Sequence, residues 1–316
     1  MRISLGCLSL LATLFFSTVS VSADTATDYF TNGVAKADKG NLDAALTDFN
    51  KAIELKPDFA DAYDSRGWVK RVKGDLDGAL ADYDKCLQLN PNFFKAYNSR
   101  GWAKQVKGDL DGALADYDKC LQLNPNFPEA YNNRAILKQA RGDLNGGLAD
   151  LDQAIRLNPS LATAYYNRAK IRKAKMDAVG ALADYTKAIE LKPDYSEAYN
   201  ERGLLKATQG HFDEAIADYD KALASDPKHV AAYANRGLAK SGKGDLEGAL
   251  ADYNSAIELS QTSFQPYMYR GYVKSKMGDI SGAKADFAKA VELNSLAQKF
   301  IELEGYSLDG TKESKP

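Results

Sequence analysis

Residues 62–93 read AYDSRGWVKRVKGDLDGALADYDKCLQLNPNF, and residues 96–127 read AYNSRGWAKQVKGDLDGALADYDKCLQLNPNF. The second stretch is the first shifted by 34 residues, altered only at Asp64/Asn98, Val69/Ala103 and Arg71/Gln105. A unit this well copied at a fixed step is a structural repeat. Anchored on Tyr63, eight units follow without a gap: 26–59, 60–93, 94–127, 128–161, 162–195, 196–229, 230–263 and 264–297. Position 4 of every unit is Tyr, and position 8 is always Gly or Ala, as at Gly67, Gly101 and Ala135. Leu76, Ala79, Leu80, Tyr83, Cys86 and Leu87 recur at the spacing of one α-helix face. Gly74-Asp75 closes one helix and opens the next, because Gly suits a C-terminal cap and Asp an N-terminal cap. Asn90-Pro91 and its counterparts stop the second helix. No strand pattern is present.

The small–Tyr–Gly–Gly–Ala–aromatic–Ala–Pro pattern over 26–297 resembles the tetratricopeptide repeat (TPR). The resemblance implies an all-α fold: a right-handed superhelical TPR solenoid of eight helix-turn-helix repeats with a C-terminal capping helix. The solenoid is expected over 24–306, with its cap at about 298–304 (QKFIELE) covering the apolar face of the last repeat. Residues 307–316, SLDGTKESKP, read as a flexible polar tail. Departures from the pattern are Met176 in place of a turn Gly, Gly147 and Leu151 in place of Ala and an aromatic, and Gln261 and Ser295 in place of Pro. They predict local softening around 142–150 and 174–180.

The first 23 residues, MRISLGCLSLLATLFFSTVSVSA, pair a basic start with a long uncharged run and a small-residue end. That resembles a secretory signal peptide cleaved after Ala23, which predicts a periplasmic or secreted chain. The alternative is an N-terminal membrane anchor, since the run nears the ~20 residues that span a bilayer. The repeat style is one associated with bacteria, so the periplasm is the expected compartment. Cys86 and Cys120 occupy the same position of adjacent units, where the other units have Ala. They read as small buried residues and not as a disulfide, because stacked helix pairs hold equivalent positions too far apart.

Two charges repeat. Position 7 is Arg in seven of the eight units, from Arg66 to Arg270, and position 23 is Asp in all eight, from Asp48 to Asp286. In a hairpin folded near position 15 the two fall at similar height. The expectation is a ladder of Arg–Asp pairs fixing helix register, with an Arg row for an acidic ligand as the alternative. The family resemblance implies that positions 2, 5, 6, 9, 12 and 13 of each first helix face a concave groove. At position 9 this gives Trp68, Trp102, Ile136, Lys170, Leu204 and Tyr272, among others. An apolar strip there suits a partner, Trp being a favoured anchor, or else packs on the neighbouring repeat. Positions 5 and 6 give Asn98, Asn132, Asn133, Asn167, Asn200 and Asn235. Asn both donates and accepts, so such a row can hold a peptide backbone; the alternative is solvated helix surface. Phe30 and Asp64 at position 5 break the carboxylate-clamp pattern of chaperone-binding TPRs.

A net charge of −2 carries no electrostatic footprint for nucleic acid. His211 and His229 lie in different units with no partner at the spacing of nucleophilic or zinc chemistry. GDLDGAL lacks the ligand spacing of a calcium loop. The expectation is therefore no catalysis, no cofactor and no metal. The expected function is a protein–protein interaction scaffold holding an extended or helical partner segment in the groove, as part of a bacterial cell-envelope assembly. The alternatives are an accessory or recruitment subunit of an envelope enzyme, or a self-oligomerising structural scaffold.

Overall fold

The computed structural model describes residues 25–312. The proposed leader therefore lies outside the described residues, as does the end of the tail. Seventeen α-helices and no strand occur among the described residues. The first eight are α1 (Ala26–Asp38), α2 (Leu42–Leu55), α3 (Ala60–Val72), α4 (Leu76–Leu89), α5 (Phe94–Val106), α6 (Leu110–Leu123), α7 (Pro128–Ala140) and α8 (Leu144–Leu157). Then come α9 (Ala162–Ala174), α10 (Ala178–Leu191), α11 (Ser196–Thr208), α12 (Phe212–Ser225), α13 (Val230–Lys243), α14 (Leu246–Leu259), α15 (Phe264–Lys276), α16 (Ile280–Leu293) and α17 (Leu296–Leu303). No helix among the described residues is long and apolar enough to cross a membrane.

The chain forms two compact units, one ending at Ala103 and the other beginning at Lys104, so the division falls within α5. In the first, α1 packs on α2 and α3 on α4. In the second, α7 packs on α8, and the pairing repeats through α15 on α16. Each second helix also packs on the next first helix, as α2 on α3 and α12 on α13. The core is thus a series of small shared layers. Ala79, Tyr83 and Ala103 make one, and Ala215, Tyr219 and Ala239 another.

Local chemistry accounts for the regularity. Asp75 accepts a hydrogen bond from the Gly78 amide at 2.9 Å, capping α4, and Asp143, Asp177, Asp245 and Asp279 cap their helices in the same way. Such a cap is worth ~1 kcal/mol. The turn before it needs a left-handed residue, and Gly74 supplies it at φ 87°. Position 8 must be small because the second helix lays an aromatic ring on it. A Cβ built on Gly67 would stand 2.8 Å from Cε1 of Tyr83.

The departures are absorbed. Met176 takes the left-handed turn itself, at φ 64° and 90% exposed. Leu151 fills the aromatic position, and Ile171 of the next helix reaches over Gly147, where an added Cβ would meet its Cδ1 at 2.8 Å. Helices α8, α9 and α10 keep the same lengths as their counterparts.

The C-terminal stretch differs from the expected polar tail. Helix α17 buries Ala297 and Ile301 as a cap would, but leaves Leu296, Phe300 and Leu303 exposed. The chain then turns back, Tyr306 pairing with Lys312 in an isolated antiparallel bridge. Tyr306 is buried, 4.8 Å from the Tyr272 ring. The Asp309 carboxylate accepts from the Ser307 and Thr311 hydroxyls and closes the turn. A buried aromatic and a self-capped turn hold what composition alone reads as solvated.

Candidate interaction surface

The Arg and Asp repeats meet inside six of the hairpins. Arg66 donates from Nε and Nη2 to both carboxylate oxygens of Asp82, at 2.9 and 2.6 Å. The same two-pronged bond joins Arg134–Asp150, Arg168–Asp184, Arg202–Asp218, Arg236–Asp252 and Arg270–Asp286. Each guanidinium also reaches back with Nη1 to the preceding second helix. Arg66 reaches Asn50 at 2.8 Å and Arg134 reaches Asp118 at 2.7 Å. Its face lies over the Tyr at position 4 of its own helix, Arg134 over Tyr131 at 5.5 Å. The Asp carboxylates are nearly buried, and the residue at position 11 completes them: Lys70 with Asp82, and Lys138 with Asp150, both at 2.8 Å. In the first hairpin, where position 7 is Asn32, Lys36 alone holds Asp48, at 2.5 Å. These arginines are committed to the fold and leave no row for an acidic ligand.

The asparagines are drawn into pairs. Asn167 donates from Nδ2 to Asn132 Oδ1 at 2.9 Å, and Asn235 does the same to Asn200. Each bond joins neighbouring first helices. Tyr166 interrupts the row, its ring tilted against that of Tyr195 with the centroids 5.0 Å apart. Asn132, Asn167 and Asn200 are buried, whereas Asn98, Asn133 and Asn235 are half-buried. Asn235 lines a cavity of about 370 Å³ with Gln265 and Tyr269.

Position 9 divides into packed and open members. Trp102 is half-buried against Leu80, with the Arg71 guanidinium 4.5 Å from its ring. Ile136, Lys170 and Leu204 are half-buried, and Lys170 lies over Tyr166 at 5.6 Å. Tyr272 is half-buried, 5.4 Å from Phe287 and beside Tyr306. Trp68 stands 39% exposed over a cavity of about 200 Å³. Leu238 is 44% exposed and edges a cavity of about 440 Å³ with Tyr269, Tyr272 and Phe300.

Asp64 is the residue that sequence reasoning undervalued. It lines the Trp68 cavity with its Oδ1 shut from water and no hydrogen-bond partner. Burial, helped by the neighbouring Asp61, pushes its carboxyl up to about 6 against the pull of Lys95. The available signal was an acid at a position that carries Asn in three other units. Cys86 and Cys120 are both buried, and burial pushes the Cys86 thiol up to about 12, away from reactivity. His211 and His229 stand at the N-caps of α12 and α13.

Tetratricopeptide repeat patterns match residues 100–176, 200–264, 60–93 and 265–295, and a TPR repeat pattern matches 33–70. The chain belongs to the tetratricopeptide repeat family. No curated protein matches it. Among solved structures, a tetratricopeptide repeat protein from Parabacteroides merdae is similar at 21% identity and TM-score 0.58, over 77% of this chain and 98% of that one. Cut9–Hcn1 of the APC/C is similar at 15% identity and TM-score 0.69, over 87% of this chain and 55% of that one. PilF of Pseudomonas aeruginosa is similar at 17% identity and TM-score 0.58, over 66% of this chain and 94% of that one. These likenesses support the TPR fold. A TPR fold supports a protein–protein interaction scaffold, and TPR proteins are generally non-catalytic.

Proposed function

We propose that this TPR chain is a non-catalytic scaffold that binds an extended or helical segment of a partner protein on its first helices, within a bacterial cell-envelope assembly. The observation that carries this reading is the uncovered apolar side chain at position 9 over a cavity, Trp68 in one unit and Leu238 in the other. An exposed Trp at the edge of a cavity is the form that a binding anchor takes. The pairing of the arginines supports the choice of an apolar contact over an acidic one. The envelope setting rests on the leader-like residues 1–23.

The test is affinity capture from an envelope fraction, with the chain from Asp24 onward as bait. Trp68→Ala with Leu238→Ala is expected to lower partner recovery at least about tenfold, the equivalent of 1.4 kcal/mol. Unchanged recovery with an intact helical spectrum would reduce the strip to packing. A second reading, self-association, is favoured by Leu296, Phe300 and Leu303, which leave one face of α17 apolar and exposed. A mass that rises with concentration in light scattering would support it.

A further inference from the structure

In the compact unit that ends at Ala103, residues of α1, α2, α3 and α5 line the cavity of about 200 Å³ beside Trp68. Val34 and Phe49 form its apolar wall, Trp68 gives an aromatic side, and Ser65 and Ser99 add hydroxyls. Asp38 stands exposed at its edge. The ionisable group within is Asp64. In the other unit, position 5 carries Asn132 and Asn200, and each accepts a hydrogen bond from an Asn on the next first helix. At Asp64 the acceptor remains but Oδ1 has no donor. A carboxylate oxygen withdrawn from water without a donor is costly, and an arriving cation that bonds to the carboxylate relieves that cost.

We propose that this cavity is a subsite for one cationic side chain, arginine or lysine, carried by the partner segment. This rests on the scaffold reading above and adds the chemistry of one residue of the partner. The stem of the side chain lies along Val34 and Phe49, and its charged head meets the Trp68 ring and the Asp64 carboxyl. An indole face attracts a cation, and a planar guanidinium can stack on the indole while bonding to a carboxylate. The volume suits one long side chain; pockets for whole small ligands run to roughly 300–1,000 Å³. The other charges nearby are Asp61 on α3, which reinforces the negative potential, and Lys95 on α5, which opposes it. Arg71 on α3 lies over the Trp102 ring. Tyr83 on α4 behind is held neutral by burial. With its carboxyl pushed up to about 6, Asp64 is charged at pH 7.5 and protonated at pH 4.5.

The chain has two tryptophans, Trp68 and Trp102, so their indole N–H resonances in a ¹⁵N-labelled sample separate this cavity from its neighbour. The probes are n-butylguanidinium and n-butylammonium, with 1-pentanol as the uncharged control of similar length. The expected result is a saturable shift at Trp68, with at least about tenfold tighter binding for a cation than for pentanol at pH 7.5. That advantage is expected to vanish at pH 4.5 and in Asp64→Asn at pH 7.5. The pH comparison needs no variant and stands even where Asp64→Asn does not fold. Equal affinity for pentanol, or a cation advantage that survives at pH 4.5 or in a folded Asp64→Asn, would overturn the proposal. Partner capture sensitive to Trp68 and Leu238 alongside a failed cation test would remove this subsite and leave the scaffold reading intact.

Discussion

Arg236 holds both carboxylate oxygens of Asp252, Nε at 2.9 Å and Nη2 at 2.6 Å, while its Nη1 crosses to Asp220 on the preceding helix at 2.6 Å. One guanidinium thus joins α13 to α14 and to α12. Asp252 is 2% exposed, so removing its partner strands a buried charge with Lys240 alone. Breaking a buried pair from one side costs ~3–5 kcal/mol. Arg236→Ala is expected to lose about 3 kcal/mol in urea unfolding, the remaining Lys240 contact limiting the damage. A loss below about 1 kcal/mol would place the ladder among exposed pairs.

Met176 occupies a turn that Gly takes at the equivalent position of every other hairpin, and its side chain is almost wholly exposed. A left-handed backbone costs an L-residue ~1–2 kcal/mol, and no packing offsets it here. Met176→Gly is expected to raise stability by about 1 kcal/mol, after the larger chain entropy of Gly is subtracted. Thermal unfolding followed by circular dichroism reads the change. A lowered midpoint would mean that the Met176 side chain makes contacts in solution that its exposure denies.

Asp64 gives a pH signature. Its carboxyl is raised in the folded chain, so the native state holds its proton at pH values where the unfolded state has released it. Stability from this group is therefore greatest below about pH 4 and falls as pH rises toward about 6. Asp64→Asn removes that fall. The variant is expected to be more stable than the parent by on the order of 1–3 kcal/mol at pH 7.5, and to differ much less at pH 4. Parallel urea titrations at the two pH values measure it; a variant no more stable at pH 7.5 would mean that Asp64 is paired in solution.

The exposed face of α17 predicts association. Leu296 is 60% and Leu303 66% exposed, with Phe300 between them. Leu303→Lys with Leu296→Lys is expected to weaken self-association at least about tenfold and to leave helix content unchanged, since neither side chain is buried. Sedimentation over a range of concentrations decides it. A parent chain that stays monomeric throughout would remove the self-association reading.

Much of this was legible from the repeat. The Arg–Asp pairing follows from a 16-residue separation across a hairpin, as in Arg66 and Asp82. The cation at position 11 was equally legible, because it lies four residues after the Arg and so on the same helix face. It is Lys or Arg in every unit, from Lys36 to Lys274, although periodicity alone does not tell a cation that holds a buried Asp from one that faces solvent. The Asn132–Asn167 bond was not legible. It links position 5 of one unit to position 6 of the next, and single-helix periodicity says nothing about that contact. The buried Tyr306 was hidden for a related reason: one aromatic among polar residues has no period to betray its partner, Tyr272.

The ladder has a consequence for how such a chain can grow. Each of these six arginines, from Arg66 to Arg270, finds its Asp within its own 34 residues and its second acceptor in the block before, so such a block brings its own connectors. Splicing in another copy, or deleting one, keeps all the junctions matched. The near-duplicate stretches at 62–93 and 96–127 fit that freedom.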